Sequence, residues 1–190
     1  MGAGERAPQL RRWADRLTAS RALIALLILL MGTQGRQALP TVILLLILGW
    51  TTDILDGSLA RRAFRERGGV EEEGAERTRL GEHDFLLDMV MVYSSFLYLV
   101  AAGYVPVEWA ALYTLIAGIF IVWARGSKAV TELFAFPLVA LPLIIAYHEA
   151  PWAAYAYIAW IVAALGLCWG RFVGVVAEFL DGMRKLFSSS

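Results

Sequence analysis

Cysteine is almost absent from this chain. Cys168 stands alone, which excludes an internal disulfide, and its place inside an apolar run marks it as a small packing side chain rather than a reactive thiol. Net charge is absent too, with 17 Lys and Arg against 17 Asp and Glu, so the overall balance names no partner and no nucleic acid is expected. No period of about 20–50 residues recurs, which excludes solenoids and propellers. Arg6 stands where a myristoylation motif needs Ser or Thr. After the first apolar run, Met31 to Gly35 lack a small-x-small cleavage site, so neither that lipid anchor nor a cleaved secretory leader is expected.

Apolar residues are plentiful. They make up 59% of the chain, above the roughly 45–50% of soluble domains, and place it in the lipid bilayer. The expected fold is all-α, a single membrane domain over 1–190 with six transmembrane helices between 17 and 178. Residues 1–16 read equally as an amphipathic interfacial helix or as a disordered arm. The spans begin after Asp15, near Thr41, near Glu82, near Trp109, beyond Lys128 and near Trp152. Pro137 and Pro142 should kink the fifth. A charged loop over 62–80 and a polar tail over 179–190 complete the layout, with Glu71 to Glu73 read as solvated. If both termini share one side, that side receives every Lys and Arg except Arg36, so the termini and the loop over 62–80 should face the cytoplasm.

Four carboxylates break the apolar pattern. Asp53, Asp56, Asp84 and Asp88 lie where long apolar segments end or begin. An acidic side chain at a helix centre costs about 2.5–3.5 kcal/mol on insertion scales, so something must hold each of them there. Residues three or four apart share a helix face, which puts Asp53, Asp56, Gly57 and Ala60 on one stripe and Asp84 with Asp88 on another. Like charges that close repel unless cations lie between them. Two divalent ions would balance four carboxylates, and an all-oxygen ligand set suits Mg²⁺ or Mn²⁺. Upstream, Asp15, Thr18 and Arg21 repeat every third residue, which turns Arg21 towards the polar site rather than leaving it to snorkel. His83 reads as an interfacial side chain without a ligand role.

The run Asp53, Asp56, Gly57, Ala60, Arg61, followed by Gly81 and then by Asp84 and Asp88, resembles the D-x-x-D-G-x-x-A-R … G … D-x-x-x-D signature of the CDP-alcohol phosphotransferases, integral membrane enzymes of phospholipid biosynthesis. The first half matches at every fixed position. In the second half nineteen residues, Arg62 to Leu80, make a longer gap than the family pattern has, and Gly81 stands one residue too close to Asp84. The helix turns by about 100° per residue, so the family glycine's role does not transfer to Gly81.

The resemblance implies metal-dependent transfer of a phosphatidyl or other substituted phosphoryl group from a CDP-linked lipid donor, CDP-diacylglycerol foremost, to an alcohol acceptor with release of CMP. It implies Asp53, Asp56, Asp84 and Asp88 around two divalent cations, with Asp88 also the catalytic base. Asp53, Gly57, Ala60 and Arg61 would hold the nucleotide. Arg21, Arg125 and Lys128 would contact phosphate or the acceptor, with Thr18 and Gly81 as weaker candidates. A homodimer is usual in the family. Met89 follows Asp88 where several glycerol-phosphate enzymes carry lysine, which argues against that acceptor. Two other readings remain at this point: an inactive scaffold, and an ion-coupled transporter. The four costly aspartates argue against the first. Their clustering at one membrane face and the lack of an inverted repeat argue against the second.

Overall fold

The computed structural model describes residues 19–66 and 84–188, with the side chains of 56–66, 84, 171 and 185–188 outside that description. The described residues are all-α, with no strand among them. Helix α1 occupies residues 19–31, and a 3₁₀ turn follows at Gly32–Ala38. Then come α2 (Leu39–Glu66), α3 (Asp84–Ala101), α4 (Val107–Trp123), α5 (Lys128–Glu149) and α6 (Pro151–Ser188).

Three stretches are long and apolar enough to cross a membrane: Ala19–Leu55, Lys128–Glu149 and Pro151–Gly170. Phe85–Ala101 and Val107–Trp123 are shorter apolar helices. The first stretch doubles back on itself. Gly35 takes φ 66°, ψ −147°, a conformation open to a residue without Cβ, and the chain reverses there. Arg21, near the start of α1, consequently meets Asp53 on α2.

The core forms from stripes at helical spacing. On α1 the buried positions are Arg21, Ile24, Ala25 and Ile28; on α2 they are Leu39, Val42, Ile43 and Leu46. Helix α3 adds Met91, Tyr98 and Leu99, and α6 adds Ala153, Ala154 and Tyr157. The remaining faces are heavily apolar and exposed, as on α4, where Leu115, Ile119 and Val122 point outward. Such a surface suits hydrocarbon rather than water.

Two expected boundaries shift. Helix α2 runs on to Glu66, so the expected loop over 62–80 starts too early. Helix α6 runs on to Ser188, so the tail from 179 to 188 is helical. The tail has a tertiary partner that its polar composition hides: a Cβ on Gly182 would come within 2.8 Å of the Ala129 Cβ, and just before the tail Glu178 pairs with Lys128 at 3.3 Å. Pro137 and Pro142, where a kink is expected, both lie inside a continuous α5. The Tyr113 hydroxyl of α4 donates a 2.6 Å hydrogen bond to the Phe134 carbonyl and ties the two helices together here. A break falls at Cys168, whose φ −121° and ψ 26° interrupt α6.

One end of the bundle is tied at the 3₁₀ turn. The Tyr98 hydroxyl donates to the Gly35 carbonyl at 3.0 Å, and Arg36 Nη2 donates to the Gly103 carbonyl at 2.8 Å while its guanidinium lies 4.7 Å from the Tyr104 ring centre. Burial pushes the Tyr104 phenol above its ordinary range, with Glu149 adding to the shift and Arg36 opposing it. The opposite end carries the aspartates.

Candidate functional site

Three helices meet at the aspartate end, and the sequence dictates how. The buried stripe of α1 begins with Arg21, which is 0% exposed. The buried stripe of α2, stepping by three or four from Leu39, reaches Thr52 and Asp53 in its later turns. On α3, Asp88 lies one turn before Met91 on the core-facing side. The three polar side chains thus continue apolar stripes and are drawn together by the packing of those stripes.

Arg21 Nη1 lies 2.6 Å from Asp88 Oδ1 and 3.2 Å from Asp53 Oδ1. One nitrogen therefore bridges carboxylates from two different helices. The aspartate side chains keep 15% (Asp53) and 21% (Asp88) of their surface, so they sit at the edge of the packed region while the arginine lies within it. Charge-assisted bonds of this kind are stronger than neutral ones, and they offset part of the desolvation cost of three ionised groups.

Gly49, one turn before Asp53, leaves room on α2 for the Met91 side chain of α3. A side chain there would collide with the sulfur of Met91, itself fully buried. Helix α6 fixes the same part of α2 from another side. Trp50 Nε1 donates to the Tyr157 hydroxyl and Trp160 Nε1 donates to Thr51 Oγ1, each at 2.9 Å. Sequence reasoning missed Gly49 and these tryptophan bonds. A glycine interrupting an apolar helix just before the acidic motif was the available signal.

The other candidates distribute as follows. Asp56, Gly57, Ala60 and Arg61 continue α2 by backbone position, and Asp84 opens α3 four residues before Asp88; their side chains lie outside the description. Thr18 and Gly81 lie outside the described residues, as do the 1–16 arm and His83. Lys128 opens α5 at this end, its Nζ 5.8 Å from the ring centre of Phe85, which follows Asp84. It also reaches Glu132 at 3.7 Å and Glu178 at 3.3 Å, so two carboxylates share it. Arg125 is exposed in the turn before α5 with φ 52°, stabilised by its amide donating to the Val122 carbonyl at 3.0 Å.

Among the described residues no group of three or more His, Cys, Asp or Glu side chains could hold a metal ion. Two of the four aspartate side chains do not enter that set. Asp53 and Asp88 place their Oδ1 atoms from separate helices round Arg21 Nη1, and carboxylate oxygens as a class suit hard cations such as Mg²⁺ or Mn²⁺ rather than soft ones. In comparisons with protein-family models, with curated proteins and with solved structures, nothing matches this chain.

Proposed function

We propose that the chain is a metal-dependent CDP-alcohol phosphotransferase of phospholipid biosynthesis. It moves a phosphatidyl or other substituted phosphoryl group from a CDP-linked donor, CDP-diacylglycerol, to an alcohol and releases CMP. The observation that carries this reading is the convergence of Asp53 and Asp88, from two sequence-distant halves of one acidic motif, on Arg21 at one end of an apolar bundle.

In this reading α1 to α6 each cross the bilayer and both termini face the cytoplasm with the site, where a water-soluble diphosphate meets a lipid tail. Two divalent cations held by Asp53, Asp56, Asp84 and Asp88 would supply neutralisation of the phosphate oxygens. Asp88 takes the acceptor hydroxyl's proton as that oxygen bonds to the lipid-bearing phosphorus and the bond to the CMP oxygen breaks. Arg61 holds the donor diphosphate. Gly57 and Ala60, lacking bulk, let the nucleotide approach the α2 backbone. Lys128 and Arg125 supply positive charge for an acidic acceptor, Lys128 after exchanging Glu178 for it. The resemblance extends to a homodimer.

The test is CMP release by purified protein with Mg²⁺ or Mn²⁺ and CDP-diacylglycerol against a panel of alcohols, with Asp88→Asn as control. The expected result is release that depends on one alcohol and is lost in the control. Release that persists in Asp88→Asn removes the base assignment. Absence of both turnover and nucleotide binding replaces the transferase reading with an inactive scaffold.

A further inference from the structure

We infer that Arg21 is a built-in counter-ion for Asp53 and Asp88, one that a divalent cation must compete with, so that this arginine sets the metal affinity of the site. The inference rests on the metal-binding part of the proposed function but not on turnover. Arg21 is wholly buried, and its Nη1 contacts Oδ1 of both carboxylates. A guanidinium cannot shed its proton in a protein, so its charge is permanent and only its position can change. Asp56 comes three residues after Asp53 on α2 and Asp84 four residues before Asp88 on α3, so along these two backbones acidic positions gather round the one guanidinium. The site therefore attracts a cation while already containing one.

A divalent cation would bind the same two carboxylates whose Oδ1 atoms Arg21 already contacts. Loading the site therefore sets the cation against the permanent charge of Arg21 at those carboxylates. Removing the guanidinium charge should thus tighten metal binding, whereas a residue that merely holds the helices in place would weaken it when lost. The sign of the change separates the two roles.

The experiment uses the full chain in detergent with Mn²⁺ alone as the probe, free ion being counted by electron paramagnetic resonance. Arg21→Met, close in length and uncharged, should bind Mn²⁺ at least about tenfold more tightly than the unaltered chain, since a unit charge a few ångströms away is worth more than that at a partly buried site. Arg21→Lys, which keeps the charge, should stay within about threefold. Equal or weaker Mn²⁺ binding by Arg21→Met overturns the inference, as does an absence of Mn²⁺ binding in both chains. Should Arg21→Met not fold, the unaltered chain serves: its Arg21 Nε–H resonance, assigned by loss in Arg21→Lys, should move on Mg²⁺ addition, and a stationary resonance overturns the inference. Tightened binding without CMP release leaves the counter-ion in place and removes the transferase. CMP release with unchanged affinity does the reverse.

Discussion

Arg21 illustrates how unevenly a buried charge weighs on stability. Removing one member of a buried ion pair leaves its partner uncompensated, which costs about 3–5 kcal/mol, whereas replacing every member with neutral side chains of similar volume is often neutral. Arg21→Ala should therefore destabilise the metal-free chain by about 3 kcal/mol, the lower figure because both aspartates retain some contact with solvent. The combination Arg21→Met, Asp53→Asn, Asp88→Asn should recover most of that loss in thermal melts in detergent. Two further variants separate roles within the proposed site. Asp88→Asn should abolish transfer while sparing much metal-dependent nucleotide binding, and Asp56→Asn should weaken both, read by CMP release and by nucleotide titration. At this scale the sequence was informative about direction and silent about distance. Helical spacing turns Arg21 towards the polar face, but its partners lie 32 and 67 residues away, and no local pattern encodes which oxygen a side chain reaches across three helices.

The helices set those distances. At Gly49 the Met91 side chain lies so close against α2 that even a methyl group would displace its sulfur. The end of a methionine can swing aside, so Gly49→Ala should be tolerated, while Gly49→Leu should cost about 1–3 kcal/mol by overpacking. Because that contact lies one turn from Asp53, splaying it should also pull Asp53 away from Asp88. Met91→Ala should restore part of the lost melting temperature in Gly49→Leu, and a double-mutant cycle measures the coupling. Element type and order could be read from the apolar runs, whose lengths and Gly or Pro punctuation announce them. Element ends could not. Helix α6 continues past its apolar stretch because Gly182 and Glu178 find Ala129 and Lys128 on α5, a contact invisible to composition. Helix α5 likewise passes through two prolines, and the Tyr113 hydroxyl supplies a donor to the Phe134 carbonyl from α4.

At the scale of the whole molecule the chain has two dissimilar ends. Thr33 is exposed in the turn closed by Arg36 and Tyr104, while Glu178 is exposed beside Lys128 at the aspartate end. On α4 the exposed rings of Trp109 and Trp123 stand roughly 21 Å apart along the axis, short of the ~30 Å hydrocarbon thickness of a bilayer. In a Cys168→Ser background, a membrane-impermeant maleimide should label Thr33→Cys only from outside and Glu178→Cys only from the cytoplasm. Labelling of both from one side would contradict the proposed topology. The buried bridge also constrains the order of biogenesis. Helix α1 leaves the ribosome with a lone arginine, Asp53 follows 32 residues later, and the closer contact, Asp88, arrives only after 67. Until then Arg21 has only the longer of these two contacts, so nascent chains that stop short of Asp88 should leave α1 within reach of the translocon rather than released into lipid.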